Sequence, residues 1–312
     1  MMIRTFLIVL VGLLPLLEVS CGHSLKKPAD TTTSGRIAIT VDETFSPILD
    51  SQVSTFESLY PEAEIVASYL SEQEAFEKFE KDSMRLVVSA RELTEKELAY
   101  FKSKKIFPKT TKIGYDALAL IVHPENTLDQ LDYVDLKKIF NGEFTWDSLA
   151  NKSKSGEINA VFDNNGSSTA RYIKENFLQG KDFPENCFAL KSNQEVIEYV
   201  ATHKNALGVI GVNWISDTDD PASQTFMKKI KVLNISNLDA DPFKPEYYGP
   251  YQAYIATKKY PLSRSLFIIS REGRTGLGTG FASFVAGDKG QRIILKSGIV
   301  PATAPVRIVG FR

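Results

Sequence analysis

The sequence predicts an α/β fold, and three observations carry that prediction. Short β-branched runs alternate along the chain with amphipathic stretches of helical spacing. Two capping boxes mark helix starts, Ser71 with Glu74 and Thr94 with Glu97. Small hydroxyl residues stand three times where a strand ends and a helix is about to begin.

In order, residues 36–41 read as a strand, and residues 47–60 as a helix with Leu49, Val53, Phe56 and Tyr60 on one face. Residues 64–68 are a strand, 71–81 a helix and 86–89 a strand, with another helix opening at Thr94. A longer apolar strand covers 114–123. In the second half, 136–140 is helical and stops at Asn141-Gly142. Residues 158–162 are a strand, 167–178 and 196–203 helices, and 207–211 a short strand. Residues 266–270 form a strand, and 280–285 and 290–296 are helical. No short-period repeat is evident. The alternation is compatible with one Rossmann-like sheet or with two smaller sheets sharing a hinge.

The N-terminus addresses the compartment. Phe6 to Leu17 is an apolar run of 12 residues behind Arg4. That is too short for a bilayer span, which needs about 20 residues, and it fits the core of a secretory signal. Val19, Ser20 and Cys21 follow and resemble a bacterial lipobox, with Glu18 where that pattern wants Leu. The expectation is a signal peptide over 1–21 and lipidation at Cys21, the alternative being an ordinary signal peptide. Residues 22–34, polar with a run of three Thr, read as a tether. Cys187 then lacks a partner and is expected as a buried apolar residue.

Composition excludes several classes. A formal charge of −1 leaves no polybasic footprint for nucleic acid. Three histidines and no cysteine cluster leave little for a metal site, and no cofactor is implied. A hydrolase needs a nucleophile, a base and an orienting group. Only His123 and His203 follow the tether, and no serine sits in Gly-x-Ser-x-Gly, so an enzyme is not expected. The glycines between 273 and 280 lack the Gly-Lys-Ser/Thr ending of a P-loop and read as a surface loop.

The three hydroxyl spots are Thr44-Phe45-Ser46-Pro47, Ser89 followed by Arg91, and Ser167-Ser168-Thr169 after Asn164-Asn165-Gly166. Ser46 reads as an N-cap with Pro47 at the first helical position. Helix N-termini present free N–H groups and a partial positive charge to an anion. Ligands of open α/β sheets bind beyond the carboxyl ends of strands.

The order of these segments resembles the phosphate-binding proteins of bacterial ABC importers over residues 35–305. Thr44-Phe45-Ser46-Pro47, Val88-Ser89-Ala90-Arg91, Tyr115-Asp116-Ala117-Leu118 and Gly166-Ser167-Ser168-Thr169 carry the likeness. Further support comes from Leu207-Gly208-Val209-Ile210-Gly211, Tyr260-Pro261-Leu262-Ser263-Arg264 and Gly298-Ile299-Val300-Pro301. The resemblance implies a periplasmic binding protein of type II: two Rossmann-like lobes joined by two crossing strands, with the anion between them. Residues 35–114 and 261–312 would form lobe I and residues 115–260 lobe II. It implies a monomer that captures phosphate or a related oxyanion for an ABC permease, in the cell envelope and held to a membrane by the lipid. A ligand-free interaction or sensory lipoprotein module is the alternative.

The implied phosphate-binding residues are Thr44, Phe45, Ser46, Ser89, Ser167, Ser168 and Thr169. The chain departs from the family at three points. The Arg that precedes the Ser-Gly-Thr loop is missing, the loop's middle Gly is Ser168, and Ala90-Arg91 replaces an Asp beside Ser89. These departures suggest that Asp163 supplies the acceptor for the anion's proton and Arg91 the cation.

Overall fold

The computed structural model describes residues 30–81, 84–149, 156–237 and 245–303. Cys21, the signal segment and most of the tether lie outside these residues.

The chain opens with β1 (Gly35–Asp42), a turn of 3-10 helix over Glu43–Phe45, α1 (Ser46–Leu59), β2 (Ala63–Leu70), α2 (Glu72–Glu80), β3 (Leu86–Ser89) and α3 (Glu95–Ser103). β2, β1 and β3 pair in parallel, as strands linked by crossover helices must. Both predicted capping boxes are present, with Ser71 and Thr94 accepting from the backbone of Glu74 and Glu97.

β4 (Lys109–Val122) crosses between the two lobes. After it come β5 (Gln130–Leu131), α4 (Tyr133–Phe140), β6 (Asn159–Phe162), α5 (Ser168–Asn176), β7 (Cys187–Ala189), α6 (Asn193–Thr202) and β8 (Ala206–Gly211). A 3-10 turn, α7 (Pro221–Met227), β9 (Lys231–Val232), β10 (Asn234–Ser236), β11 (Tyr247–Tyr248) and α8 (Gln252–Ala256) follow. The chain returns through β12 (Ser263–Ser270) and ends its described part in α9 (Leu277–Ala286), α10 (Asp288–Lys296) and β13 (Val300–Pro301).

One sheet runs through both lobes in the order β2-β1-β3-β12-β4-β8-β6-β7. Ala117 and the β4 residues before it pair with β12, while Leu118 to Val122 pair with β8. A single long strand therefore belongs to two half-sheets, which reconciles the one-sheet and two-sheet readings of the sequence. The main core contains Phe45, Phe56 and Phe281 in one lobe and Trp146, Phe162 and Phe177 in the other.

One expectation needs correction. Only the first part of the glycine-rich segment is exposed loop. Gly278 and Gly280 lie in the first turn of α9, where a Cβ on Gly280 would stand 1.8 Å from the Thr32 carbonyl oxygen. Glu272 receives the N–H groups of Gly278 and Thr279 at 3.1 and 2.6 Å, so a carboxylate caps this helix.

Candidate functional site

The half-sheets meet along a cleft whose walls are the carboxyl ends of β1, β3 and β6. From lobe I, β1 ends in Asp42. Its Oδ1 accepts from the Thr44 N–H at 3.3 Å and caps the 3-10 turn that carries Thr44 and Phe45. Ser46 is the first residue of α1, with Phe45 in the N-cap position and no side-chain cap. The helix thus starts one residue earlier than the expected Ser46 cap would place it, and the side-chain cap of this segment is Asp42, on the 3-10 turn that leads into α1. Ser46 itself is half-buried beside Pro47, Asp50 and Trp214.

From lobe II, β6 delivers Asp163 and the loop to α5. Asn164 turns the loop by accepting from Gly166 N at 2.8 Å, and Ser167 caps α5 by accepting from Ala170 N at 3.0 Å. Ser167, Ser168 and Thr169 are all buried. The two lobes are closed on each other here. Thr44 Oγ1 donates across the cleft toward Asp163 Oδ2 at 3.0 Å, and Asn193 Nδ2 donates to Glu43 at 2.8 Å. Asn213 Nδ2 and Trp214 Nε1 donate to the Thr44 carbonyl at 3.0 and 2.9 Å, and Gln73 N donates to Gly166 O at 3.0 Å.

The cation of the cleft comes from the crossing strands. Arg264 on β12 lies directly opposite Asp116 on β4 in the sheet register. Its Nε and Nη2 donate to Asp116 Oδ2 at 3.0 and 2.9 Å, while Nη1 donates to Ser168 Oγ at 2.9 Å. The guanidinium carbon stands 4.9 Å from the centre of the Phe45 ring. Phe45 and Ser168 therefore both touch Arg264, one from each lobe.

Arg91 is placed differently from the expectation that made it the site's cation. It is bound by Glu97 through two 2.8 Å hydrogen bonds, lies over the Phe76 ring at 3.5 Å, and reaches Glu72 only at 3.5 Å. A partner three residues past the Thr94 cap holds it inside lobe I. Ser89 is likewise engaged, donating to Glu72 at 2.5 Å. Glu72 also receives Arg171 from the other lobe, Nε at 2.6 Å and Nη2 at 3.2 Å. This ion pair sits at the cleft mouth, in a space of about 430 Å³ lined by Arg91, Gly166 and Lys174 among others.

Electrostatically the closed cleft is rich in carboxyl groups. Burial pushes Asp42 up to about 7, with the facing Glu72 and Asp163 adding to the shift and Arg264 opposing it. Burial also raises Asp163 to about 6, against the pull of the Ser167 hydrogen bond. Glu43 and Asp116 are raised by burial as well, the latter despite Arg264. Four buried atoms of the cluster have no hydrogen-bond partner among the described residues: Asp42 Oδ2, Asp116 Oδ1, Thr169 Oγ1 and Asn213 Oδ1. Native interiors leave few such groups.

Arg264, Asp116, Asp42 and Asn193 were not read as site residues from sequence. A signal existed for the first two. Asp116 is the single charge between Gly114 and Val122, and Arg264 is the single charge in β12.

A family model described as a PBP superfamily domain matches residues 26–289. The chain belongs to the PBP superfamily. Among curated relatives, the phosphate-binding protein PstS of Borreliella burgdorferi is 22% identical over 273 residues, covering 85% of this chain and 89% of that protein. PstS of Pseudomonas aeruginosa is 22% identical over 289 residues, covering 88% and 85%. Among solved structures, a Clostridium perfringens protein with bound phosphate has a TM-score of 0.70 at 20% identity, covering 86% of this chain and 100% of its own. An ABC-type phosphate transport receptor of Vibrio cholerae has a TM-score of 0.61 at 20% identity, covering 85% and 99%. The two-lobed PBP-superfamily fold puts strand ends of both lobes on one cleft, which is where Thr44, Asp163 and the Ser167 loop meet. No described helix is long and apolar enough to cross a membrane.

Proposed function

We propose that this chain is a solute-binding protein that captures phosphate in the interlobe cleft and delivers it to an ABC permease. The observation that carries the reading is the convergence of Thr44 from one lobe, Ser168 and Thr169 from the other, and Arg264 from the crossing strand in one buried cluster. Hydroxyls, the N-terminus of α5 and one guanidinium suit a tetrahedral oxyanion. The Thr169 hydroxyl, without a partner among the described residues, supplies a donor. The curated relatives are named for phosphate, which fits the same chemistry.

In this reading the protein is a carrier and not an enzyme. The anion bridges the lobes, stabilises the closed form and is released when the lobes part on the permease. Lipidation at Cys21 would hold the carrier at the membrane, and the carrier would act as a monomer. Thr44, Phe45, Ser167, Ser168 and Thr169 frame the anion. Ser46, Ser89 and Arg91 act from behind, through the start of α1 and through Glu72. Asp163 discriminates: a buried carboxylate accepts a hydrogen bond from a protonated anion and repels one without a proton.

Calorimetric titration of the full chain with phosphate, and with sulfate as control, tests this. Tight binding of phosphate without sulfate heat is the expected result, and Asp163→Asn should then admit sulfate. An unchanged preference in that variant removes Asp163 from selectivity. A second reading, a ligand-free interaction module, is favoured by one observation, the closure of the cleft through the chain's own groups. Absence of heat from either anion would select it.

A further inference from the structure

Asp42 stands at the end of β1, fully buried, with one oxygen unpartnered. Its hydrogen bonding poses a counting problem. Thr44 Oγ1 lies 3.1 Å from Asp42 Oδ1 and 3.0 Å from Asp163 Oδ2. A threonine hydroxyl carries one hydrogen, so it donates to one carboxylate only. Thr44 N–H bonds the same Asp42 oxygen, so the hydroxyl is free to serve Asp163, and Asp42 then keeps few donors for a charged form.

The surrounding donors agree. Asp163 already receives the Ser167 hydroxyl and the Asn193 amide, the latter at 3.1 Å, besides Thr44. Three donors are what an ionised carboxylate takes. Asp42 receives fewer, the Thr44 N–H at 3.3 Å and the Ser168 hydroxyl. The groups facing it are mostly acidic: Glu72 from α2, Asp163 from the end of β6, and Glu43 next in sequence. Ser168 on α5 hydrogen-bonds Asp42 and so favours its charged form, against the pull of burial and of the acidic neighbours. Arg264 faces it from β12, but its guanidinium is shared between Asp116 of β4 and Ser168. The Glu72 charge is engaged by Arg91 and Arg171. Asp42 therefore lacks a cation of its own.

We propose that Asp42 enters the closed cleft as the neutral acid and donates its O–H to the bound oxyanion, so that capture above neutral pH takes up one proton. This rests on the oxyanion-binding reading and adds the protonation state of that site. At about pH 8 the free partners are an ionised Asp42 and the monohydrogen phosphate dianion. The complex holds both with one added hydrogen, drawn from the buffer and placed between an Asp42 oxygen and a phosphate oxygen. Without that proton, closure would press a dianion against two carboxylates with one shared guanidinium between them. The direction of the Asp42 shift agrees, since burial and the facing carboxyls favour its neutral form.

The test is calorimetric titration of the full chain with inorganic phosphate at about pH 8 in two buffers of different ionisation heat, for the wild type and for Asp42→Asn. Uptake near one proton per phosphate is expected in the wild type and near zero in the variant. The wild-type Kd should weaken about tenfold per pH unit above neutrality, and that of Asp42→Asn should stay within about twofold. Equal uptake in the two proteins, or none in the wild type, overturns the proposal while leaving phosphate binding intact.

Absence of phosphate heat from both proteins would instead sink the functional reading, and a ligand-free measurement then decides for Asp42. Trp214 donates across the cleft to the Thr44 carbonyl and reports closure by its emission, isolated by subtracting the Trp214→Phe protein. A transition near neutral pH in the wild type that is missing in Asp42→Asn supports a neutral Asp42. Emission independent of pH, or the same midpoint in both proteins, overturns it.

Discussion

Replacing Arg264 with Gln should destabilise the protein more than other single changes in the cleft. The guanidinium and Asp116 are cross-strand partners whose side chains are 4% and 0% exposed, joined by two bonds of 2.9 and 3.0 Å. Removing one side of such a buried pair leaves an uncompensated charge and costs about 3–5 kcal/mol. Loss of the contact with the Phe45 face adds on the order of 0.5–1 kcal/mol. For a chain of this length, with an unfolding entropy of about 0.6 kcal/mol/K, 3–5 kcal/mol lowers the Tm by roughly 5–8 °C.

The cost should depend on pH with a definite sign. Asp116 is already pushed up by burial, and losing Arg264 pushes it further. In acid the orphaned carboxyl takes a proton and most of the penalty disappears. As pH rises the folded state must either hold that proton or ionise in the dry hinge, and the penalty grows. Urea denaturation of Arg264→Gln in acid and at neutral pH measures this directly. The double variant Asp116→Asn with Arg264→Gln has no buried charge and should recover most of the loss. A single variant within about 1 kcal/mol of wild type at neutral pH, or a double variant no better than the single, refutes the argument.

Three further outcomes follow from the same cluster. Arg171→Met removes the interlobe pair with Glu72, so it should open the cleft and weaken phosphate binding about five- to thirtyfold, read by calorimetry; unchanged affinity would mean that the pair does not hold closure. Wild-type stability should fall as pH rises between about pH 4 and about pH 7, because Asp42 and Asp163 are raised to about 7 and about 6 and the folded state binds more protons than the unfolded one. Urea midpoints that stay level across that window would contradict it. Thr169→Val removes a buried hydroxyl without a partner, so stability should hold or rise by up to about 1 kcal/mol while phosphate affinity drops about tenfold. Loss of stability in that variant would show that the hydroxyl has a structural partner.

The parts of the fold that were legible in the sequence are those fixed by local chemistry. The Ser71–Glu74 and Thr94–Glu97 boxes opened helices where their spacing placed them, because a cap is satisfied within one turn. β4 begins at Lys109, five residues before the strand read from the sequence, because its polar Lys-Thr-Thr-Lys start has no apolar signal. Pairing with the far end of β12 supplies it instead. The two-residue strands β5, β9 and β11 are equally silent, since their partners and not their sequences define them.

Of the site, the hydroxyls at strand ends were legible and the charges were not. Arg264 and Asp116 stand 148 residues apart, so a reading of either strand alone gives a solitary charge with no stated purpose. Arg91 was the nearer candidate for a cation, and in the structure Glu97, six residues on, binds it.

The bonds that close the cleft also limit what an anion can gain there. A ligand shifts an open–closed balance only by interactions that it makes in the closed form beyond those the open form offers it. Here the closed form already joins Thr44 to Asp163, Asn193 to Glu43 and Arg171 to Glu72. A phosphate entering this cleft must replace some of these bonds, and only part of its binding energy then appears as affinity. Among the described residues the Thr169 hydroxyl and Asp42 Oδ2 have no partner, one from each lobe, and the second becomes a donor if Asp42 binds the anion as the neutral acid proposed above. Both are buried, so their bonds to the anion would form away from solvent, where salt screens them weakly. Affinity should therefore respond to pH more than to ionic strength. A surface cluster of lysines would behave the other way round.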